Sequence, residues 1–328
     1  MFRFSFYLAI LLFIPGTVFS QSELHYVNSF PGGDVAFFYI SDISISSDGL
    51  HFYLLDQPMN KVYKINKNGD IEAVAGRDGH GPGEFSGGPI KIIENNDELM
   101  IFDKSPVSTV QVFDSDLNYI TTRRIRFGDD VALFDDGQLL LHYHDYRNNT
   151  YFLIYNFDGD KLESLSVDVP SKNYTRINRA QISKIDRIGY VILFTHFNQI
   201  QFFDHALNLK KSLKLDFLPE KSPVELAPGA EGIISRFTGE RRDIVYRSSY
   251  FPEFRIFESL TVDNSSKVYI QVNQLISEVN DNIFVFDFNG QLIDSFVLPD
   301  GQILKNVRDN YLFTVSSSRD SVSIYRID

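Results

Sequence analysis

The sequence predicts an all-β chain, a six-bladed β-propeller of four-stranded antiparallel blades, and three observations predict it. First, a short phrase recurs: an apolar residue, then Asp or Asn, then a turn, at Asn66, Asp114, Asn156, Asp204, Asp287 and Asp328. Its intervals of 48, 42, 48, 83 and 41 residues are a propeller-blade period with one beat skipped. Second, the stretches between the phrases are short runs rich in β-branched and aromatic residues, such as His51-Phe52-Tyr53-Leu54-Leu55 and Val268-Tyr269-Ile270-Gln271-Val272. Third, almost nowhere does the 3.6-residue period of an amphipathic helix appear.

Ahead of the repeats stands a leader. Met1-Phe2-Arg3 is a basic start, residues 4–14 are nearly all apolar, Pro15-Gly16 breaks the run, and Val18-Phe19-Ser20 precedes Gln21 in a cleavage-site pattern. Residues 1–20 are therefore expected to be a signal peptide, cut between Ser20 and Gln21. The apolar run is well short of the roughly 20 residues that a spanning helix needs. The expected mature chain, 21–328, is one propeller domain, secreted across the inner membrane and periplasmic or extracellular.

Within it, blades are expected at about 38–74, 89–125, 130–167, 179–215, 257–297 and 304–328. Turn clusters such as Ser46-Ser47-Asp48-Gly49, Glu94-Asn95-Asn96-Asp97 and Asp263-Asn264-Ser265-Ser266 start each second strand. Those second strands lack clean alternation because both faces of an inner blade strand pack on neighbouring blades. The last unit stops after three strands, which would leave an open edge. Residues 24–30, Leu-His-Tyr-Val-Asn-Ser-Phe, have the length and composition to fill it, so the N-terminal strand is expected to close the ring.

The skipped beat falls at about 216–255, a long insertion. It either hides a seventh, degenerate blade, with Ile244-Val245-Tyr246-Arg247 as its third strand, or forms a loop over one face of a six-bladed ring. Structureless loops of that length are uncommon unless functional.

Between the first and second blades lies Gly76-Arg77-Asp78-Gly79-His80-Gly81-Pro82-Gly83-Glu84-Phe85, followed by Leu99-Met100-Ile101-Phe102-Asp103 and Val110-Gln111-Val112-Phe113-Asp114. This arrangement, with Tyr250-Phe251-Pro252-Glu253-Phe254 entering Leu260-Thr261-Val262-Asp263, resembles the NHL-like six-bladed propellers common among exported proteins of Bacteroidota and related bacteria. The resemblance implies six blades and a ring of loops at one face of a central channel. It does not specify a chemistry.

Composition narrows the function. The chain has no cysteine, which removes disulfides, lipidation through cysteine and thiol catalysis together. With 31 basic against 43 acidic residues its net charge is −12, and nucleic acid, which needs a basic face, is not an expected partner. The glycine-rich 76–83 stretch lacks the Lys-Ser/Thr and following helix of a phosphate loop. His142-Tyr143-His144-Asp145 places two imidazoles on one strand face. They form half of a metal site, with Asp145 or His196 as a third ligand but without the usual spacing, so no cofactor is predicted, and a divalent ion in the channel stays open.

The channel face is expected to carry Asp56, Asp103, His144, Asp145, His196 and Asn273 at strand ends. Arg77, His80, Asn173, Tyr174 and Arg176 join them from the crossings between blades. Arg236, Arg241, Arg242 and Arg247 concentrate positive charge in the insertion. The ligand-binding candidates are thus Asp56, Arg77, His80, Asp103, His144, Asp145, His196, Arg241 and Arg242. The expected function is a monomeric, non-catalytic binding or scaffolding propeller of the bacterial envelope with a protein or glycan ligand. The alternative is a metal-assisted hydrolase, lactonase or lyase, resembling the lactonase and NHL-type lyase propellers, with its site at the channel.

Overall fold

In a computed structural model of the protein, the described residues are 22–30, 37–95, 98–103, 108–125, 130–134, 138–145, 150–156, 160–165, 179–185, 188–218, 255–273 and 281–328; for 142–145, 150, 151 and 165 only the backbone is described. The chain opens with β1 (Leu24–Phe30), which stands apart from the sequential blades. Blade 1 is β2 (Ile40–Ile45), β3 (His51–Asp56), β4 (Lys61–Asn66) and β5 (Ile71–Ala75). Blade 2 is β6 (Pro89–Asn95), β7 (Glu98–Asp103), β8 (Thr109–Asp114) and β9 (Tyr119–Arg124). Blade 3 is β10 (Asp130–Leu133), β11 (Gln138–Asp145), β12 (Thr150–Asn156) and β13 (Lys161–Leu165). Blade 4 is β14 (Ala180–Ile185), β15 (Gly189–Phe194), β16 (Gln199–Asp204) and β17 (Leu209–Leu213). Blade 5 is β18 (Phe257–Val262), β19 (Val268–Val272), β20 (Ile283–Phe286) and β21 (Leu292–Phe296). Blade 6 is β22 (Gln302–Arg308), β23 (Tyr311–Ser316) and β24 (Val322–Ile327), completed by β1.

The sheets are antiparallel throughout, and six is the blade count. The first strands β2, β6, β10, β14, β18 and β22 are consecutive neighbours around the ring and line the channel. The hydrophobic core is divided accordingly, with one cluster in each gap between blades. Tyr53 and Leu55 pack towards Ile101 and Phe113 of blade 2, while Phe52 and Leu54 face Phe313 and Val315 of blade 6. Alternate residues of one strand therefore serve two different gaps, so β3, β7, β15 and β19 are apolar at almost every position.

The recurring phrase is the chemistry of one turn. Asn66 Oδ1 accepts the amides of Asn68 and Asp70 at 2.9 and 3.1 Å. Asp114 Oδ1 accepts those of Asp116 and Asn118 at 2.9 and 2.8 Å. Asn156, Asp204 and Asp287 each take the amide four residues on, from Asp160, Asn208 and Gln291. Three residues after the phrase, Gly69, Leu117, Leu207 and Gly290 sit at positive φ. Their amides donate to the phrase residue's carbonyl. This is a tight turn followed by a bulged left-handed residue, and the Asx side chain holds it by accepting amides the hairpin leaves over.

The last copy behaves differently. Asp328 turns nothing; its amide donates to the Glu23 carbonyl at 3.2 Å, and its carboxylate lies 2.9 Å from His25 Nε2. Blade 6 then runs in the order β1-β24-β23-β22, with Leu24 opposite Ile327 and Phe30 opposite Val322. Closure by the N-terminal strand is therefore as the sequence predicts. Phe30, at 5% exposure, reaches across into blade 1, its ring 6.3 Å from that of Phe52. Gly69 makes room for it: a Cβ there would meet the Phe30 ring at 2.5 Å.

Phe30→Ala should destabilise the chain by about 3 kcal/mol, since it removes a buried ring from the seam between blades 6 and 1. Val27→Ala, on the exposed side of the same strand, should stay within about 0.5 kcal/mol. Urea denaturation of both variants measures the difference.

Candidate functional site

One face of the ring is assembled from the loops between second and third strands and the crossings between blades. Asp56, fully buried at the end of β3, accepts the amides of Phe38 at 2.8 Å and Tyr39 at 3.2 Å, which lead into β2. Asp103, at the end of β7, accepts those of Ser86 at 2.7 Å and Gly87 at 3.0 Å, ahead of β6. Both carboxylates therefore satisfy backbone donors where the chain swings inward, a structural task. In blade 4, Thr195 and His196 follow β15 at the same place. Thr195 donates its amide to the Arg179 carbonyl at 2.9 Å and accepts the Ile256 amide at 2.8 Å. His196 is fully buried, its Nδ1 3.0 Å from Thr195 Oγ1. The Asn273 amide donates to the Ile256 carbonyl at 2.9 Å.

The glycine-rich crossing is a seam between blades 1 and 2. Phe85 is fully buried, and the Gly76 position, at φ +87°, has no room for a Cβ, which would meet the Asn60 carbonyl and the Phe85 ring at 2.5 Å. Arg77 Nε donates to Glu84 at 2.6 Å, so its charge is paired within the loop. The Gly81 amide and then Arg77 hold the Glu84 carboxyl below its usual range. His80 is exposed on this loop. His144 and Asp145 end β11, but their side chains, with that of His142, lie outside the described residues. So do Asn173, Tyr174, Arg176, Arg236, Arg241, Arg242 and Arg247. Among the described residues no three His, Asp or Glu side chains cluster as metal ligands.

The charged groups of the first strands are tied to their neighbours. Lys91 Nζ lies 3.3 Å from Asp130 Oδ1, and Asp130 Oδ2 accepts the Ile182 amide at 2.9 Å. Asp42 Oδ2 accepts the Ile92 amide at 3.0 Å, and Lys305 Nζ donates to the Ser41 carbonyl at 2.6 Å. Burial opposes the charge on Lys91, but Asp130 and Asp42 outweigh it and raise its pKa. Lys305 goes the other way. Burial first, then Arg319 and Lys91, hold it down to about 7 against the pull of Asp42 and Asp130.

Three arginines of different blades act on one another electrostatically. Arg179 precedes β14, Arg255 precedes β18, and Arg319 sits in the β23–β24 turn; the guanidinium groups of Arg179 and Arg319 lie within electrostatic range of Arg255. Burial and the other two arginines lower the Arg255 pKa, and Glu258 on β18 opposes them. Glu258 is itself raised, chiefly by burial. Arg319 stands over the Tyr39 ring at 4.6 Å. The Arg319 carbonyl accepts the Ile40 amide at 2.7 Å, which fixes this corner to blade 1. Beside it Phe38 is 62% exposed. Groups from blades 4, 5 and 6 thus act on one another electrostatically here, and blade 1 adds the Tyr39 ring. Sequence reasoning missed Arg179, Arg255, Glu258 and Arg319 as a group, because they occupy unlike positions in their repeats.

Residues 33–232 match a family described as a 6-bladed beta-propeller, DUF5128. The chain belongs to that family. None of the curated proteins compared matches it. A DUF4221 family member from Bacteroides vulgatus superposes with a TM-score of 0.64 at 10% identity, covering 94% of this chain and 99% of that one. A protein from Bacteroides fragilis, named as exported, gives 0.58 at 13% identity over 95% and 96%. A virginiamycin B lyase from Staphylococcus aureus gives 0.50 at 13% identity over 87% and 79%. At such identities the likeness is one of fold. Among the described residues no helix is long and apolar enough to cross a membrane.

Two expectations follow. Asp103→Ala should cost about 2 kcal/mol of stability by leaving two amides without their acceptor, measurable by urea denaturation. For Lys305, a folded-state pKa of about 7 lies below its unfolded value, about 10.4. Charge on it is therefore a penalty to the fold, present in full below pH 7 and relieved as pH rises towards 10. The stability of Lys305→Met relative to the parent should accordingly be highest near pH 6 and fall steadily between pH 7 and 10.

Proposed function

We propose that this chain is a binding propeller of the bacterial envelope, carried across the inner membrane by residues 1–20, which holds its ligand at the cationic mouth without transforming it. One observation carries the reading. The carboxylates of Asp56 and Asp103 hold backbone amides and Lys91 is paired with Asp130, whereas the buried Nε of Arg255 meets no acceptor among the described residues and Arg319 lies within its electrostatic range. Guanidinium groups held close together on one face of a propeller attract a ligand of the opposite sign. The hydroxyl–imidazole contact nearby, Thr195 with His196, is 5% and 0% exposed, which keeps it from meeting a substrate. Export is supported by the leader pattern and by the naming of the Bacteroides fragilis structure.

The test is equilibrium dialysis of residues 21–328 against small-molecule and glycan fractions of envelope extract from the producing bacterium, read by mass spectrometry. Binding predicts one component retained at about one per chain, recovered at unchanged mass, and lost from an Arg255→Ala/Arg319→Ala variant that still folds. Conversion of a component in excess of the protein would establish an enzyme instead, the metal-assisted lyase reading included. Retention of nothing would remove the binding reading.

A further inference from the structure

We propose that Lys305 is a nucleophilic amine on the innermost strand of blade 6, which holds the aldehyde or ketone group of a small organic molecule as a reversible imine. This site is on a first strand and does not depend on a ligand binding at the mouth.

The backbone makes the position. β22 steps out of register at one residue: Leu304 lies opposite Thr314 and Asn306 opposite Phe313, so Lys305 has no counterpart in β23. A bulge of this kind re-aims the side chain of the extra residue. The first strands of blades 1, 2 and 5 step in the same way, at Ser41, Ile90 and Glu258. Of these four residues only Lys305 carries an amine. Its neighbours in the chain are pinned. Gln271 Oε1 accepts the Leu304 amide at 2.8 Å, and Asn306 Nδ2 donates to the Ile43 carbonyl at 3.4 Å. The Lys305 stem therefore starts from a fixed point, and the residue is half-buried rather than sealed.

Its amine has a partner that leaves it reactive and lacks the partner that would silence it. Lys305 Nζ donates to the carbonyl of Ser41 at 2.6 Å, and Ser41 is the residue that β2 leaves without a counterpart. Lys64, Lys91 and Lys210 are instead held by Asp116, Asp130 and Asp204 at 2.7, 3.3 and 2.9 Å. Among the described residues no carboxylate comes within ion-pair distance of Lys305 Nζ. An amine that gives one N–H to a carbonyl keeps its lone pair directed away from that carbonyl, whereas an ion pair keeps a proton on the lone pair. The charged groups acting on it are Arg319, Lys91, Asp42, Asp130 and, across the gap to blade 5, Glu258. Burial first, then the two cations, outweigh the acids and bring the pKa to about 7. At pH 7 roughly half of the amine is then neutral, about a thousandfold more than for a lysine in water. Desolvated lysines of this kind form Schiff bases with carbonyl compounds.

The step balances without a co-reactant. The nitrogen lone pair forms the C–N bond while the carbonyl π pair moves to oxygen, which takes a proton from nitrogen. The carbinolamine then loses water, the second N–H proton leaving with the hydroxyl, and the C=N bond forms. Hydrolysis returns the carbonyl compound unchanged, so the step is capture and not conversion.

The experiment treats residues 21–328 with acetaldehyde and sodium cyanoborohydride, which reduces an imine to a stable ethylamine, and follows ethylation at each lysine by peptide mass spectrometry. At pH 7 Lys305 should be ethylated at least tenfold faster than the exposed Lys67. The Lys305 rate should level off above pH 7, while that of Lys67 keeps rising towards pH 10, and in urea the two should converge. Asp42→Asn keeps an oxygen for the Ile92 amide and removes a charge that favours the ammonium, so it should speed Lys305 severalfold at pH 6. Arg319→Gln removes a charge that opposes the ammonium and should slow Lys305 severalfold at pH 7. Opposite signs in the two variants cannot come from unfolding, which makes the lysines alike. Labelling of Lys305 no faster than Lys67 at pH 7, a common pH profile for the two, or the same sign in both variants overturns the proposal. None of these outcomes bears on retention of a ligand at the mouth, which the dialysis decides separately.

Discussion

Each innermost strand of a propeller has one edge in its own sheet and one edge facing the next blade, and that second edge governs much of what this sequence does with its polar residues. Neighbouring first strands splay around the channel and do not form a ladder with one another, so their amides and carbonyls need other partners. Asp42 supplies one to Ile92, and Asp130 another to Ile182. Gln271 serves both Leu304 and Gln302, while Lys305 and Asn306 cross from blade 6 to the carbonyls of Ser41 and Ile43. The channel charges are thus first of all the stitching of the ring. Only the groups left after that stitching are available for a ligand.

Much of the architecture was legible because it rests on local rules repeated in order. Asn66, Asp114 and Asp204 are turn residues by their own chemistry, and the position three beyond each is left-handed, whether glycine or leucine fills it. The blade limits and the pairing of β1 with β24 follow from counting such turns and asking which unit lacks a strand. The rim was not legible for the opposite reason. Arg179 and Arg255 precede first strands, Arg319 lies in a turn and Glu258 lies on a strand, so no spacing connects them. Asp56 and Asp103 show the converse. The sequence places them at strand ends, but whether a strand-end carboxylate looks outward or folds back onto incoming amides depends on the path of a segment 16 to 18 residues earlier in the chain.

The charge distribution has a similar logic. A chain with net charge −12 repels anions at a distance, yet its mouth gathers three arginines. Long-range repulsion is screened within about 8 Å at physiological salt, whereas a group seated among desolvated guanidiniums is screened far less. The fold therefore separates long-range charge, set by the whole surface, from local potential, set by a few groups that the blades bring together.

The seam of blade 6 has a temporal consequence. Leu24 pairs with Ile327, and Asp328 receives the backbone of Glu23. The first strand of the ring and the last residues of the chain are therefore partners, and five blades must exist as an open arc before the sixth can be completed. Until then Phe30 and the facing surfaces of blades 1 and 6 stay uncovered. Ring closure then belongs to the slow regime expected when the decisive contacts are the most distant ones. A chain built this way stays unfinished for as long as its ends are held apart.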